Sequence, residues 1–115
     1  MPIVQIYMKK GQSAEAKNEL KDYVVGSISK ATGTDPVNIF IFLNETEDEN
    51  ITKPGPVMMV FWAGTPSRTP EAKKKIMAEV SIKMSEMFDI SIDNVVVTFT
   101  DLPLTNVAVG GVARG

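Results

Sequence analysis

The chain has 115 residues, which suits one compact domain, and its 43% hydrophobic and 23% charged residues are typical of a globular protein. It has no cysteine, which excludes disulfides and thiolate metal sites, and no histidine, the commonest acid–base residue. The net charge of −2, the lack of a long apolar run and the lack of a signal-peptide pattern argue against nucleic acid and membrane as partners and favour a cytoplasmic protein.

The first half of the chain predicts a strand, a helix and a second strand. Residues 3–8 are apolar and rich in β-branched side chains, which indicates a strand. Ser13 is a suitable helix N-cap, and Gly33 can end the same helix in a left-handed conformation. Residues 37–43 read as the second strand, and the acidic residues 44–55 as a loop or an exposed hairpin. The predicted buried stripe of the helix is Ala16, Leu20, Val24 and Ile28.

The second half repeats this order. Residues 57–62 predict a strand, and residues 95–100 the last one. Between them, Thr69 and Pro70 form a strong helix start, with a capping side chain followed by proline at the first helical position. Residues 101–115 read as a loop rich in glycine and valine. The predicted stripe of this helix is Ala72, Ile76, Val80 and Met84.

The two halves align without a gap at an offset of 56 residues. This offset pairs Val4 with Val60 and Lys17 with Lys73, and it aligns strands, caps and stripes together. We interpret the chain as one domain of two pseudo-repeats, residues 1–56 and 57–115, although two unrelated βαβ units of similar length would give a similar order. The predicted fold class is α+β, with two tandem βαβ units forming a four-stranded mixed sheet that carries both helices on one face.

The predicted strands lack polar alternation. The segments 39–43 and 58–62 are apolar at every position, which is typical of strands that are buried on both faces. Two helices cover only one face of a four-stranded sheet, so the other face needs a further cover. Copies of the same chain are the simplest cover, and a homo-oligomer is therefore expected.

Pro2 is the strongest candidate for chemistry in a chain without histidine and cysteine. Removal of Met1 would leave the Pro2 nitrogen as a free secondary amine at the start of a strand. A free α-amino group titrates near pH 7.7–8, and burial lowers that pKa towards neutrality, where a group can take and return a proton. The alternative is that proline merely begins the strand.

The order of these segments resembles the tautomerase superfamily, whose small members include 4-oxalocrotonate tautomerase. The resemblance rests on residues 2–6, on the turn and helix start at residues 11–17, and on the matching segment 67–73 of the second half. The hairpin-like segment 106–111 adds to it. The chain resembles a fused member with two units, and the branch of macrophage migration inhibitory factor shares that architecture. This resemblance implies a cofactor-free, metal-free homotrimer.

The resemblance also implies roles for individual residues. Pro2 would be the general base that moves a proton in an enol or keto acid, and Arg68 would bind the carboxylate of this small-molecule substrate. The position of Arg68 in the first half is Gln12, which is uncharged, and Lys10 lies two residues away and could act as a point charge. The second arginine of the family would fall at Phe40 or Val96, which are both apolar.

These departures leave two functions open. Thr65, Thr98 and Val109 stand where the dehalogenase branch has its additional arginine, tyrosine and acid, and Pro66 replaces one arginine of the decarboxylase branch, so both activities are poorly supported. The chain is expected to be a tautomerase-like isomerase with Pro2, Arg68, Lys10, Gln12 and Phe40 at its site. The alternative is a catalytically degenerate trimer with a structural or small-ligand-binding role.

Overall fold

The computed structural model describes the whole chain, Met1–Gly115, and places two helices on one face of a four-stranded mixed sheet. The sheet has the order β2-β1-β3-β4, and a short two-stranded hairpin, β5-β6, lies near the C-terminus. This architecture confirms the predicted fold class. The elements are β1 (Ile3–Lys9), α1 (Ala14–Thr32), β2 (Phe40–Thr46), β3 (Val57–Ala63), α2 (Pro70–Phe88), β4 (Val96–Leu102), β5 (Ala108–Val109) and β6 (Val112–Ala113).

Strand direction determines which residues meet at each end of the sheet. β1 runs parallel to β2, and β3 runs parallel to β4, whereas the central pair β1 and β3 is antiparallel, with Ile3 opposite Phe61. The starts of β1 and β2 therefore lie at the same end of the sheet as the carboxyl ends of β3 and β4. We call this the Pro2 end, and the other the opposite end.

Both helices begin where the sequence predicts, and α1 also ends there. The Ser13 hydroxyl oxygen accepts a hydrogen bond from the Ala16 N–H at 3.1 Å, and the Thr69 hydroxyl oxygen accepts the equivalent bond from Ala72 at 3.1 Å. Gly33 ends α1 with a φ of 71°, in the left-handed region that glycine adopts readily. Neither helix has the length and apolarity that a membrane span requires.

The core lies between the helices and the covered face of the sheet. Trp62 is the largest fully buried side chain, and it packs with alternate residues of β1 and β3 against the two helices. The predicted helix stripes are buried, except that Ala16 is only half-buried. The twelve core residues are Val4, Ile6, Met8, Leu20, Val24, Ile28, Met58, Val60, Trp62, Ile76, Val80 and Met84.

Two strand starts and the C-terminal segment differ from the sequence predictions. β2 begins at Phe40 because Pro36–Asn38 forms a 3₁₀ turn, in which the Asp35 carboxylate accepts a hydrogen bond from the Val37 N–H at 3.1 Å. The 3₁₀ turn Ile92–Asn94 delays the start of β4 in the same way. Residues 101–115 are also not a plain loop, because they hold the end of β4, a further 3₁₀ turn and the β5-β6 hairpin.

The gapless alignment of the two halves is wrong for the central strands. The Pro2 carbonyl accepts a hydrogen bond from the Phe40 N–H at 2.9 Å, and the Pro56 carbonyl accepts the equivalent bond from the Val96 N–H at 3.1 Å. Phe40 and Val96 are 56 residues apart, whereas Pro2 and Pro56 are 54 apart. The difference arises because the connection from β3 to α2 is two residues longer than that from β1 to α1. The structural counterpart of Pro2 is therefore Pro56.

The sheet face that bears no helix is apolar and open. Its side chains include Ile3 and its cross-strand neighbour Phe40, both more than one-third exposed, and Phe42 is more than half exposed. Tyr7 and Val96 are similarly exposed. A contiguous apolar surface of this kind marks an interaction site in a folded protein.

Core packing predicts a large difference between two isoleucines of α2. Ile76 is fully buried, whereas Ile82 is half exposed. We expect Ile76→Ala to lower the free energy of unfolding by about 2–5 kcal/mol, because it leaves a cavity. The matched Ile82→Ala should cost less than about 1 kcal/mol. Chemical denaturation at one protein concentration measures both, and an equal loss would contradict this assignment of the core.

Candidate functional site

Pro2 immediately precedes β1 and is hydrogen-bonded to β2. Its side chain is fully buried, and its carbonyl is bound by the Phe40 N–H of β2. Continuing the antiparallel register beyond Ile3 and Phe61 places Pro2 beside Trp62 of β3. The turn that follows β3 carries Arg68. The antiparallel pairing therefore brings the first residues of the chain close to the turn between β3 and α2.

Arg68 is a buried guanidinium without a direct counter-ion. Only 9% of the residue is exposed, and no carboxylate lies within ion-pair distance. One terminal nitrogen, Nη1, donates to the Ala63 carbonyl at 2.6 Å, and the other, Nη2, donates to the Thr34 hydroxyl at 3.4 Å. The guanidinium carbon lies 4.8 Å from the centre of the Trp62 ring, within the range of a cation–π interaction.

The guanidinium of Arg68 also has one unpartnered donor. Its Nε atom is buried and has no hydrogen-bond partner. Burial lowers the pKa of the guanidinium, while the negative charge of Asp101 raises it in part. Arginine stays protonated in proteins, so the unpartnered N–H is a donor that a carboxylate can satisfy.

A hydrogen-bonded network fixes the Trp62 side chain, which lies beside Arg68. The indole N–H of Trp62 donates to one carboxylate oxygen of Asp101 at 2.7 Å, and Lys73 donates to the other at 2.7 Å. Phe99 packs against the indole, with ring centres 4.9 Å apart. The hydrogen bond from Lys73, and next the one from Trp62, lower the pKa of Asp101. The network holds the aromatic surface on which the guanidinium of Arg68 lies.

The amino group at the Pro2 end has an environment that favours its neutral form. Burial lowers the pKa of the Met1 amino group below its ordinary value, and the positive charges of Arg68 and then Arg114 lower it further. Two cations therefore act on this nitrogen, one from the β3–α2 turn and one from the C-terminal segment. Nowhere in the chain do three or more His, Cys, Asp or Glu side chains lie close enough together to hold a metal ion.

The structure brings Phe40 to Pro2 but separates Lys10 and Gln12 from it. Phe40 contacts Pro2 through its backbone, and its side chain is exposed on the open face of the sheet. Lys10 and Gln12 follow β1 at the opposite end. At about 3.3 Å per residue, eight residues of extended chain separate Lys10 from Pro2 by roughly 25 Å. These two residues cannot contact one small ligand at Pro2 within the same chain.

Lys10 and Gln12 instead line a pocket of about 360 Å³ beside Pro56. The Lys10 ammonium donates to the carboxylate of Glu47 at 3.0 Å. The Glu45 carboxylate accepts hydrogen bonds from the backbone N–H groups of Gly11 and Gln12, at 3.0 and 3.3 Å. Lys10 and the turn at the opposite end thus have acidic partners within the chain.

The two ends of the sheet are related, but their chemistry differs. Lys17 forms an ion pair with Glu45 at the opposite end, and Lys73 forms the equivalent pair with Asp101 at the Pro2 end. The nitrogen of Pro56 is an amide inside the chain and has no basic lone pair. Only the Pro2 end therefore combines a cation without a direct counter-ion with a chain terminus.

Trp62, Asp101 and Arg114 were not predicted from the sequence to lie at this site. Trp62 reads as a core residue in an apolar run, and nothing in that run indicates its hydrogen bond. Asp101 could have been found, because the same offset of 56 that pairs Lys17 with Lys73 also pairs Glu45 with Asp101. Arg114 gave no signal, since its position depends on how the C-terminal segment folds back.

Comparison with known protein families matches the first half of the chain. The family model described as "Tautomerase enzyme" matches residues 1–53. No curated protein matches the chain.

Comparison with solved structures matches nearly the whole chain. The "R7 fused 4-OT wild type asymmetric trimer" is 26% identical, with a TM-score of 0.87, and the alignment covers 97% of this chain and 95% of that one. The "F6 fused 4-OT wild type asymmetric trimer" is 24% identical, with a TM-score of 0.89 and the same coverage. FG41 malonate semialdehyde decarboxylase is 15% identical, with a TM-score of 0.78 and coverage of 94% and 88%. The last two likenesses concern the fold alone.

The Asp101 network predicts a specific acid dependence of stability. The pKa of Asp101 is lower in the folded state than in the unfolded state. The Asp101 carboxylate therefore stabilises the fold fully above the unfolded-state pKa of about 3.9, and this stabilisation is lost as pH falls through the folded-state pKa. We expect Asp101→Asn to destabilise the protein at pH 7 and to have a much smaller effect near pH 2–3. Urea denaturation at both pH values measures the difference.

Asp22→Asn is the matched control, because Asp22 is exposed on α1 and forms no ion pair. This variant should differ little from the original chain at either pH. An Asp101→Asn effect of the same size at both pH values would show that the Asp101 charge does not stabilise the fold.

Proposed function

We propose that this chain, which has the fused double βαβ fold of the tautomerase superfamily, moves a proton within a small enol or keto acid. In this proposal Pro2 is the general base after removal of Met1, and Arg68 binds the substrate carboxylate. The observation that carries the proposal is the guanidinium of Arg68, which is buried without a direct counter-ion beside the start of β1. Burying a cation of this kind costs free energy unless an anion pairs with it.

The environment of the N-terminus supports the role of Pro2 as a base. The Met1 amino group is held towards its neutral form by burial and by two arginines. Removal of Met1 would transfer the chain terminus to the Pro2 nitrogen, one residue further along the same strand. A neutral secondary amine there can accept a proton near pH 7.

The proton transfer needs no oxidant, reductant or cofactor. The Pro2 nitrogen accepts the hydroxyl proton of the enol, and the enol oxygen becomes a carbonyl as the double bond shifts. The nitrogen then returns the proton to a carbon of the former double bond, which completes the isomerisation. Arg68 would hold the adjacent carboxylate by charge-assisted hydrogen bonds and stabilise the negative charge that develops on the oxygen.

The proposal includes a homotrimer. Both helices lie on one face of the sheet, and the other face exposes Ile3, Phe40 and Phe42. Two of the similar solved structures are described as fused 4-OT trimers. Three copies that place their open faces inward would remove this apolar surface from water.

A second candidate is a catalytically degenerate trimer that binds a small ligand or serves as a scaffold. Phe40 and Val96 favour it, because both are apolar where the family resemblance implies a second arginine. Turnover that depends on the Pro2 nitrogen distinguishes the two candidates.

The proposed base predicts the behaviour of Pro2→Ala. With phenylpyruvate or 2-hydroxymuconate as substrate, we expect kcat to fall about 10²–10⁴-fold, because the variant replaces the ring nitrogen with a primary amine of different basicity and geometry. Spectrophotometric assays of protein that begins at residue 2 measure the loss.

Pro56→Ala is the matched control, since Pro56 is the structural counterpart of Pro2 but has an amide nitrogen. It should retain turnover when circular dichroism shows that it is folded. Full activity of Pro2→Ala would refute the role of Pro2, whatever the result for Pro56.

The proposed assembly predicts the effect of a charge on the open face. We expect Phe42→Glu to dissociate the trimer, because it would bury a carboxylate in an apolar interface. Ile82→Glu introduces the same charge at a half-exposed position of α2 and should leave the trimer intact. Sedimentation velocity distinguishes these outcomes, and an unchanged oligomer for Phe42→Glu would contradict the inward orientation of this face.

A further inference from the structure

The end of α1 carries two hydroxyl side chains that connect it to Arg68. α1 finishes at Thr32, just before β2 starts at the Pro2 end, and Gly33 follows with a φ of 71°. The hydroxyl of the next residue, Thr34, accepts the hydrogen bond from Nη2 of Arg68 at 3.4 Å. The Thr34 and Thr32 hydroxyl oxygens lie 2.7 Å apart. The turn that ends the helix of the first unit therefore contacts the arginine of the second.

The number of protons determines the direction of these hydrogen bonds. The buried Thr32 hydroxyl donates its one proton to the Ile28 carbonyl at 2.7 Å. The bond between the two threonines must then be donated by Thr34, because a hydroxyl has a single proton. Thr34 has no proton left and faces Arg68 with lone pairs alone. Three hydrogen bonds thus run from Arg68 through Thr34 and Thr32 to a carbonyl near the C-terminus of α1, the negative end of its dipole.

The other contacts of the guanidinium are also made to uncharged groups. Nη1 donates to the Ala63 carbonyl at 2.6 Å, and the guanidinium lies over the Trp62 ring. Among these contacts, Thr34 alone is a polar side chain that can be replaced without changing the backbone or the aromatic core. Its hydrogen bond is long, so we expect it to orient the guanidinium rather than to contribute much to folding.

The second unit lacks the two hydroxyls and also lacks the arginine. α1 and α2 end in the same way, with a left-handed residue whose N–H donates to the carbonyl four residues earlier. The two capping positions differ by the same offset of 56 residues, so Phe88 and Ile90 stand where α1 has its threonines. Gln12 stands in the place of Arg68, and it lines the pocket at the opposite end together with Phe88 and Ile90. The hydroxyls thus occur at the end of the sheet that carries the arginine.

We propose that Thr34 is a positioning residue for Arg68, which it orients from the end of α1 as an acceptor without a free proton. The inference rests on the proposed function for the anion that Arg68 would receive. Because a guanidinium is planar, acceptors at Nη1 and Nη2 also determine the direction of the Nε–H bond. A ligand carboxylate would then meet a donor whose direction is set before binding, which lowers the ordering cost of binding.

NMR of the arginine side chains tests this role without a ligand. Arg68 and Arg114 are the only arginines of the chain, so nitrogen-15 spectra should show two guanidinium groups, which Arg114→Lys assigns. We expect Thr34→Val to speed rotation of the Arg68 guanidinium about three- to tenfold, the rate equivalent of one modest hydrogen bond. Thr34→Ser keeps the acceptor and should stay within about twofold of the original rate.

Thr52→Val is the matched control, because Thr52 is exposed and lies with Lys9 at the opposite end of the sheet. It removes the same hydroxyl group and should leave the rotation of Arg68 unchanged. Thr34→Ala should match Thr34→Val, which excludes an effect of the valine side chain itself. Unchanged rotation in Thr34→Val, or equally fast rotation in Thr34→Val and Thr34→Ser, would overturn the positioning role.

The two proposals can fail separately. In active protein, Thr34→Val should also lower kcat/KM for phenylpyruvate about three- to tenfold, and Thr34→Ser should restore it. If Arg68 rotates faster in Thr34→Val but kcat/KM is unchanged, the orientation of Arg68 does not serve the site and the inference is lost. If the original chain has no turnover, but loss of the Thr34 hydroxyl selectively releases Arg68, the proton transfer is lost and the positioning by Thr34 stands.

Discussion

The antiparallel pairing of β1 with β3 is the constraint on which the candidate site depends. Each βαβ unit alone would place its first residue and its strand–helix turn at opposite ends of a strand. The central pairing, with Ile3 opposite Phe61, places the start of β1 beside the end of β3, the first strand of the second unit. Pro2 and Arg68, which are distant in sequence, lie at the same end of the sheet for this reason. A slip of one residue would turn the alternating core residues of β1 towards the open face.

The two ends of the sheet show how similar units can differ in their charges. Both ends have a proline whose carbonyl pairs with the neighbouring strand, and both have a lysine–carboxylate pair. At the opposite end Glu45 also occupies the backbone N–H groups of the turn, and the proline nitrogen is an amide. At the Pro2 end, the Asp101 carboxylate accepts hydrogen bonds from Trp62 and Lys73, and Arg68 has no direct counter-ion. Asymmetry of charge, rather than of fold, distinguishes the two ends.

Local chemistry made much of the fold predictable from the sequence. Ser13, Thr69 and Gly33 specify helix ends through hydrogen bonds and conformations that depend on a few neighbouring residues, and the helix stripes follow from periodicity. The offset of the central strands was not predictable, because the longer β3–α2 turn changes register without disturbing any sequence pattern. Lys10 and Gln12 were grouped with Pro2 because Gln12 matches Arg68 at the offset of 56, although β1 places them at the opposite end of the sheet. The approach of Arg114 depends on tertiary folding of the hairpin, and no local signal encodes it.

The proposed proton transfer requires that the Pro2 nitrogen becomes the chain terminus in the mature protein. The most direct test is the intact mass of the natively produced, untagged protein, together with the sequence of its N-terminal peptide. We expect a mass lower than that of the full 115-residue chain by one methionine residue, with proline first. A mass that retains Met1 would contradict the proposed base, because the Pro2 nitrogen would then be an amide.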